Sequence, residues 1–275
     1  MPVISTNTSA NSALRYLNQN STEQTSALNK VASGSRITRA SDDAAGLAVA
    51  TKLQSDVSVL GQASTNASHA SSILETADGG LSSMSDVLER MKVLCAEAMS
   101  GAVGTTEKGY IQSEFDTLAT ELNTIVTTTT FNGTKLLDGT YTADFLVGTQ
   151  ATDVISTDLT DATTFGAVAV LGSTTLSGLD LSGAADAALT AVNTAIDNVA
   201  GARASVGAME SQFNYHSTQI TSSEENLDAA QSAIMDCDIA EAQSEFSSAQ
   251  VKTNAAIAAL GQANSMPQQL LSLLQ

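Results

Sequence analysis

The chain is predicted to be mainly α, with long antiparallel helices in a coiled-coil-like bundle, a small β-hairpin region and paired N- and C-terminal helical arms. Proline occurs only at Pro2 and Pro267, so residues 3 to 266 lack the strongest helix breaker. Apolar side chains recur every seven residues at Val192, Val199, Val206, Phe213, Ile220, Leu227 and Ile234, the spacing of a left-handed supercoiled helix. At ~1.5 Å per residue that stripe is roughly 63 Å long. Trp is absent, and 275 residues hold only 6 Phe and 4 Tyr. Burial must therefore come from Leu, Ile, Val, Met and Ala in thin seams.

From the N-terminus, Leu14, Leu17, Ser21, Gln24, Leu28 and Val31 hold a 3,4 spacing that predicts the first arm. Ser41 is placed to cap the next helix, with Asp42 and Asp43 in a first turn whose dipole favours acids. Further on, Ile73, Ala77, Leu81, Met84, Leu88, Met91, Cys95 and Ala98 form one apolar seam. The stretch from Gly101 to Gly109 separates it from a third helix through Ile111, Phe115, Leu118, Leu122 and Ile125, so that two helices can pack as a hairpin. Four β-branched residues, Thr127 to Thr130, end that helix.

The texture then changes. Asn132-Gly133 and Asp138-Gly139 are two turn dipeptides around short apolar strands, and Tyr141 to Val147 continues as a strand. From Gly148 to Gly183 the chain is rich in Thr, Ser, Gly and Asp without helical period, which reads as a middle insertion of small β-structure or exposed loop. The second arm follows Phe246, Ala249, Thr253, Ala256, Leu260 and Ala263. Residues 1 to 52 carry 5 basic and 3 acidic side chains, residues 224 to 275 carry 1 and 7, and these opposite signs favour pairing of the arms. Polar groups interrupt both stripes, so the arms are expected to order only when a larger assembly buries them.

A net charge of -18, with no Lys or Arg between Lys135 and Arg203, argues against phosphate-binding surfaces. Neither nucleic acid nor a membrane is expected as a partner. The N-terminal sequence shows neither a basic leader nor an apolar stretch of the secretory type. No catalytic, cofactor or metal site is read from the sequence. His69 and His216 stand in no ligand pattern, Cys95 lies on an apolar seam, and Cys237 sits between Asp236 and Asp238, whose charges oppose a thiolate. Gly79 and Gly80 lack any phosphate-loop spacing. An enzyme is therefore not expected.

Three motifs carry a resemblance. Ser33-Gly34-Ser35-Arg36-Ile37, followed by Ala40-Ser41-Asp42-Asp43-Ala44-Ala45-Gly46, is similar to the N-terminal signature of bacterial flagellins. Phe131-Asn132-Gly133-Thr134-Lys135-Leu136-Leu137 resembles their FNG-x-KLL motif, and the run from Ala263 to Gln275 resembles their C-terminal AN-x-x-PQ-x-LLSLL. The family signature residues here are Arg36, Ile37, Asp42, Asp43, Gly46, Phe131, Asn132 and Gly133. The resemblance covers residues 1 to 147 and 186 to 275.

It implies a structural subunit that self-assembles into a helical filament used as a propeller. Residues 1–40 and 240–275 would be the inner filament arms, 41–147 and 186–239 a helical domain with a β-hairpin, and 148–185 a short variable outer segment. Subunit assembly would rest on Leu14, Leu17, Leu28, Val31, Leu260, Leu270, Leu271, Leu273 and Leu274. Export would run through the flagellar type III channel to the cell exterior, with an export chaperone, the filament cap and hook-junction proteins as partners. Arg90, Leu94 and Glu114 match family positions that contact an innate immune receptor. The alternatives are a hook-filament junction protein of the same superfamily and a non-flagellar helical binding module or adhesin.

Overall fold

The computed structural model describes residues 7–160, 176 and 178–273, the last seven of these as backbone only. The chain divides into two compact units, residues 1–57 with 226–275, and residues 58–225. The helices are α1 (Thr8–Ser33), α2 (Ala44–Ala98), α3 (Thr105–Thr128), α4 (Ala185–Met235) and α5 (Ile239–Leu273). Among the described residues between α3 and α4 are four short strands: β1 (Thr130–Phe131), β2 (Thr134–Lys135), β3 (Thr142–Leu146) and β4 (Val154–Asp158). Among the described residues no helix is long and apolar enough to cross a membrane.

The core of the second unit is the set of thin seams expected from the sequence. All eight predicted seam residues of α2, from Ile73 to Ala98, are buried. Burial pushes the Cys95 thiol up from its usual range, as suits a small buried hydrophobe. On α4, Val192, Val199, Val206, Phe213 and Ile220 are buried, and Ala188, Ala195 and Ala202, not read from the sequence, complete the 3,4 pattern. Leu227 and Ile234, in the first unit, are half-buried.

On α3 the expected Ile111, Phe115 and Leu122 are buried, but the stripe departs by one residue at two positions. Ala119 and Val126 are buried while Leu118 and Ile125 lie on the flanks. A stripe drawn through the largest side chains misses the line where a small residue lets helices approach. The helix also starts earlier than expected, with Gly104 as its cap, so Gly109 lies inside it.

Asn132 and Gly133 have φ of 49° and 80°, and they join β1 to β2 with Phe131 opposite Thr134. Positive φ at both central residues is the condition for a type I′ hairpin. The second turn dipeptide joins no strands. The Asp138 carboxylate instead accepts hydrogen bonds from the Thr140 amide (3.1 Å) and hydroxyl (2.7 Å), and Leu136 and Leu137 before it are fully buried without pairing as a strand. Strand β3 matches the expected strand and pairs antiparallel with β4, Phe145 opposite Ile155.

Strand β4 lies inside the stretch read as an insertion. Its Ile155 and Thr157 are buried, as are Leu159, Leu176 and Leu181. The Gln112 side chain on α3 donates to the Leu179 carbonyl and accepts from the Leu181 amide, both at 2.8 Å. Phe145 meets Phe213 edge-on at 5.8 Å between ring centroids. These parts of 148–185 therefore belong to the packing of the second unit. The rest of the stretch, 161–175 and 177, lies outside the described residues.

Gly79 and Gly80 sit mid-helix in α2 for different reasons. A Cβ on Gly80 would lie 2.7 Å from Thr129 Oγ1 and 2.9 Å from Leu137 Cδ1, whereas one on Gly79 would meet nothing within 4 Å. Gly80 thus admits the chain around Thr129 and Leu137 against the helix. Gly80→Ala is expected to destabilise the protein by ~1–3 kcal/mol through overpacking, while Gly79→Ala stabilises it by ~0.5–1 kcal/mol, both read by denaturant unfolding. Equal effects of the two changes would refute the packing role of Gly80.

Candidate functional site

The candidate site is the arm pair of the first unit and the corner that closes it. Asn7 caps α1 by accepting from the Ala10 amide at 3.0 Å, and its own amide donates to the Ala263 carbonyl at 2.8 Å. At the other end Lys30 pairs with Glu245 at 3.7 Å, and Ser35 bridges to Asp236. The order of these contacts makes α1 and α5 antiparallel. On α5 the expected stripe is the buried face: Ala242, Ala249, Ala256 and Ala263 are buried, with Phe246, Thr253 and Leu260 between them half-buried. Alanines at seven-residue steps let the two backbones approach closely, at ~0.8 kcal/mol for each buried methyl.

On α1 the expected stripe needs correction. The face toward α5 holds Ala10, Ala13, Leu17, Asn20, Gln24, Ala27 and Val31, while Leu14 and Leu28 are 45% and 49% exposed and Ser21 is exposed. Leu17, Gln24 and Val31 keep their expected place on this face, while Ala27 takes the place of Leu28. On α5, Val251 and Ile257 are likewise exposed. The side chains of Leu270, Leu271 and Leu273, and Leu274 altogether, lie outside the described residues. The α5 backbone runs helically through Pro267.

The corner gives a task to several residues of the first motif, Gly34, Arg36, Asp42, Asp43 and Gly46 among them. Gly34 ends α1 at φ 69°, its amide donating to the Lys30 carbonyl at 2.9 Å, a left-handed cap that glycine adopts without strain. The Arg36 amide donates to the Met235 carbonyl, its guanidinium reaches the Ile234 carbonyl at 2.9 and 3.1 Å, and the Cys237 amide donates to the Gly34 carbonyl. Arg36 thereby places a cation on the last carbonyls of α4.

Asp42 and Asp43 do not sit in the first turn of α2, and Ser41 does not cap it. The helix starts at Ala44, and Asp43 is its cap, accepting from the Gly46 amide at 2.8 Å. The carboxylate outcompetes the serine because it lies immediately before the first helical residue. Asp42 accepts from the Thr38 amide and hydroxyl and from the Arg39 amide, at 3.0 to 3.1 Å. The Thr38 hydroxyl foremost, then these amides, holds its carboxyl below the usual range. Ile37 is buried, and a Cβ on Gly46 would overlap the Asp43 carboxylate and lie 2.9 Å from Ile37 Cδ1. Asp238 caps α5 by accepting from the Ala240 amide at 2.8 Å, a role the sequence reading missed although Asp before an apolar run was its signal.

Arg90 and Glu114, in the second unit, form an ion pair at 2.6 Å between α2 and α3, and Leu94 beside Arg90 on α2 is buried. Phe131 is half-buried next to its exposed turn. Among the described residues no three His, Cys, Asp or Glu side chains converge on a metal site.

Residues 4–142 match the bacterial flagellin N-terminal helical region, and residues 189–274 match the bacterial flagellin C-terminal helical region. The chain belongs to the bacterial flagellin family. Among its relatives are the flagellin of Bacillus subtilis, 35% identical over 99% of both chains, and that of Listeria monocytogenes, 34% identical over 98% of this chain and 99% of the other. The flagellar filament 33 kDa core protein of Treponema phagedenis is 31% identical over 99% of this chain and 100% of its own length. A crystal structure of Bacillus cereus flagellin aligns with 61% of this chain and 94% of its own at 26% identity and a TM-score of 0.48. Flagellins are structural proteins, and this flagellin is a filament subunit that polymerises with copies of itself. A hook-filament junction protein or an unrelated adhesin is not favoured.

Because the folded-state pKa of Asp42 lies below its unfolded value, its contribution to stability is present above pH 3.8 and is lost as pH falls through the folded value. Asp42→Asn is therefore expected to lower the melting temperature at pH 7, and the gap to the parent narrows below pH 3.8. A gap that stays constant down to about pH 2 would show that Asp42 acts through something other than its charge.

Proposed function

We propose that the filament is held together chiefly by the arms of the first unit, whose outer apolar residues are covered by neighbouring copies. One observation carries this reading: the α1–α5 pair buries Ala27, Ala242, Ala249, Ala256 and Ala263 and leaves the larger Leu14, Leu28, Val251 and Ile257 exposed. Apolar groups repeated along an uncovered helix pair fit burial in an open helical polymer, where heterologous contacts need not close. The leucines from Leu270 to Leu274 extend the same apolar supply at the chain end.

On this reading, residues 1–40 and 240–275 are the inner filament arms, 41–147 and 186–239 the helical domain, and 148–185 the variable segment. The protein is exported through the flagellar type III channel and acts outside the cell, with an export chaperone, the filament cap and hook-junction proteins as transient partners. It is a structural protein and not an enzyme. A receptor reaching this surface would meet Arg90 and Glu114 as exposed groups, with Leu94 beneath them.

Deleting Leu270 to Gln275 tests the arms. The truncated chain is expected to form no filaments by negative-stain microscopy after salting out, with its helical circular dichroism at room temperature little changed, since the seams of the second unit remain. Filaments of normal stability from the truncated chain would overturn the reading.

A further inference from the structure

The charge is distributed very unevenly between the two units. Residues 1–57 with 226–275 carry 9 acidic and 6 basic side chains, net -3, whereas residues 58–225 carry 20 acidic and 5 basic, net -15. In the first unit six of these fifteen groups have the following local partners. Lys30 pairs with Glu245, Arg36 sits on helix-end carbonyls, Asp42 binds backbone amides, and Asp43 and Asp238 are helix caps. In the second unit two ion pairs are present among the described residues, Arg90–Glu114 and Arg203–Asp78, and Asp138, Asp153, Asp158 and Asp180 accept from backbone amides, but these bonds leave the net charge at -15. Glu210 there has its carboxyl pushed up, first by burial and then by Asp78 and Glu75, a local sign of crowded negative charge.

In a helical polymer every copy of one unit lies at the same radius as every other copy of that unit. Each unit therefore has equivalent copies of itself around the polymer: copies at -15 each repel one another strongly, and copies at -3 each hardly at all. Screening lengths fall from about 10 Å at 0.1 M salt to about 3 Å at 1 M, so this repulsion is set by ionic strength. We propose that residues 58–225 act as an ionic-strength gate on self-assembly, repelling copies at low salt, while residues 1–57 with 226–275 supply contacts nearly indifferent to salt. The proposal rests on the assembly reading above and adds where the salt response resides.

The test uses the full chain and two separate quadruple variants of exposed or half-exposed acids in the second unit. One carries Glu89→Gln, Glu97→Gln, Glu121→Gln and Asp144→Asn, and the other Glu75→Gln, Asp86→Asn, Asp197→Asn and Glu225→Gln. Each lowers the product of charges between two such units by roughly half. Seeded growth is followed by light scattering from about 0.1 to 1 M NaCl. The parent is expected to grow faster as salt rises, and both quadruple variants to show a salt slope reduced by roughly half. A control with Asp56→Asn and Asp228→Asn in the first unit is expected to keep the parental slope.

Two different sets giving one result would tie the effect to net charge, since a specific contact would respond to only one of them. Parental slopes in the quadruple variants, a change in only one of them, or an equally flattened control would each overturn the gate while leaving assembly standing. A parent that stays monomeric at every salt concentration would overturn the assembly reading, and the gate with it.

Discussion

The structure depends on the poverty of its core. With no Trp and few other aromatic residues, the chain has no side chains large enough to fill a wide interior, so burial runs along narrow stripes where helices meet. A narrow stripe stabilises little per turn, and the helices compensate by being long. Helix α2 extends over 55 residues and α4 over 51. The alternation of Ala188, Val192, Ala195, Val199, Ala202 and Val206 shows how the stripe is built, small residues setting the helix distance and branched ones filling the space left.

The two units use this device with different side chains. In the second unit Leu, Met and Phe fill the seams, as at Leu81, Met84, Leu88 and Phe115, and the small β-structure seals the side of the helices. In the first unit the buried residues of the α1–α5 contact are alanines, Ala27, Ala242, Ala249, Ala256 and Ala263, with larger side chains only half-buried between them. Close backbones give geometric fit but little apolar area, so the arms are the weaker part and the part with most to gain from a neighbour. On the proposed reading, neighbouring copies complete the burial that the arms lack in a single chain.

The first signature motif owes its spacing to one corner. Gly34 turns the chain out of α1, Arg36 and Ser35 fasten it to the end of α4, Asp42 closes the loop on its own amides, Asp43 caps α2, and Gly46 makes room for Ile37. These residues are chosen for backbone geometry and hydrogen-bond termination, which explains why acids and cations lie close together here without forming a catalytic cluster.

The sequence by itself determined the helical class, the seam of α2, the heptad of α4, the stripe of α5, the Asn132-Gly133 hairpin and the family, because each is a pattern of local period or adjacency. The tertiary structure decided what depends on distance between segments far apart in the chain. It kept Leu17, Gln24 and Val31 of α1 and Ile111, Phe115 and Leu122 of α3 on their expected faces but put Ala27, Ala119 and Val126 in place of Leu28, Leu118 and Ile125, which periodicity cannot choose between. It paired β3 with β4, because a strand partner in a Thr- and Ser-rich stretch carries no helical or hairpin signal of its own. It made Gly80 necessary and Gly79 dispensable, two identical neighbours that differ only in what the fold brings against them.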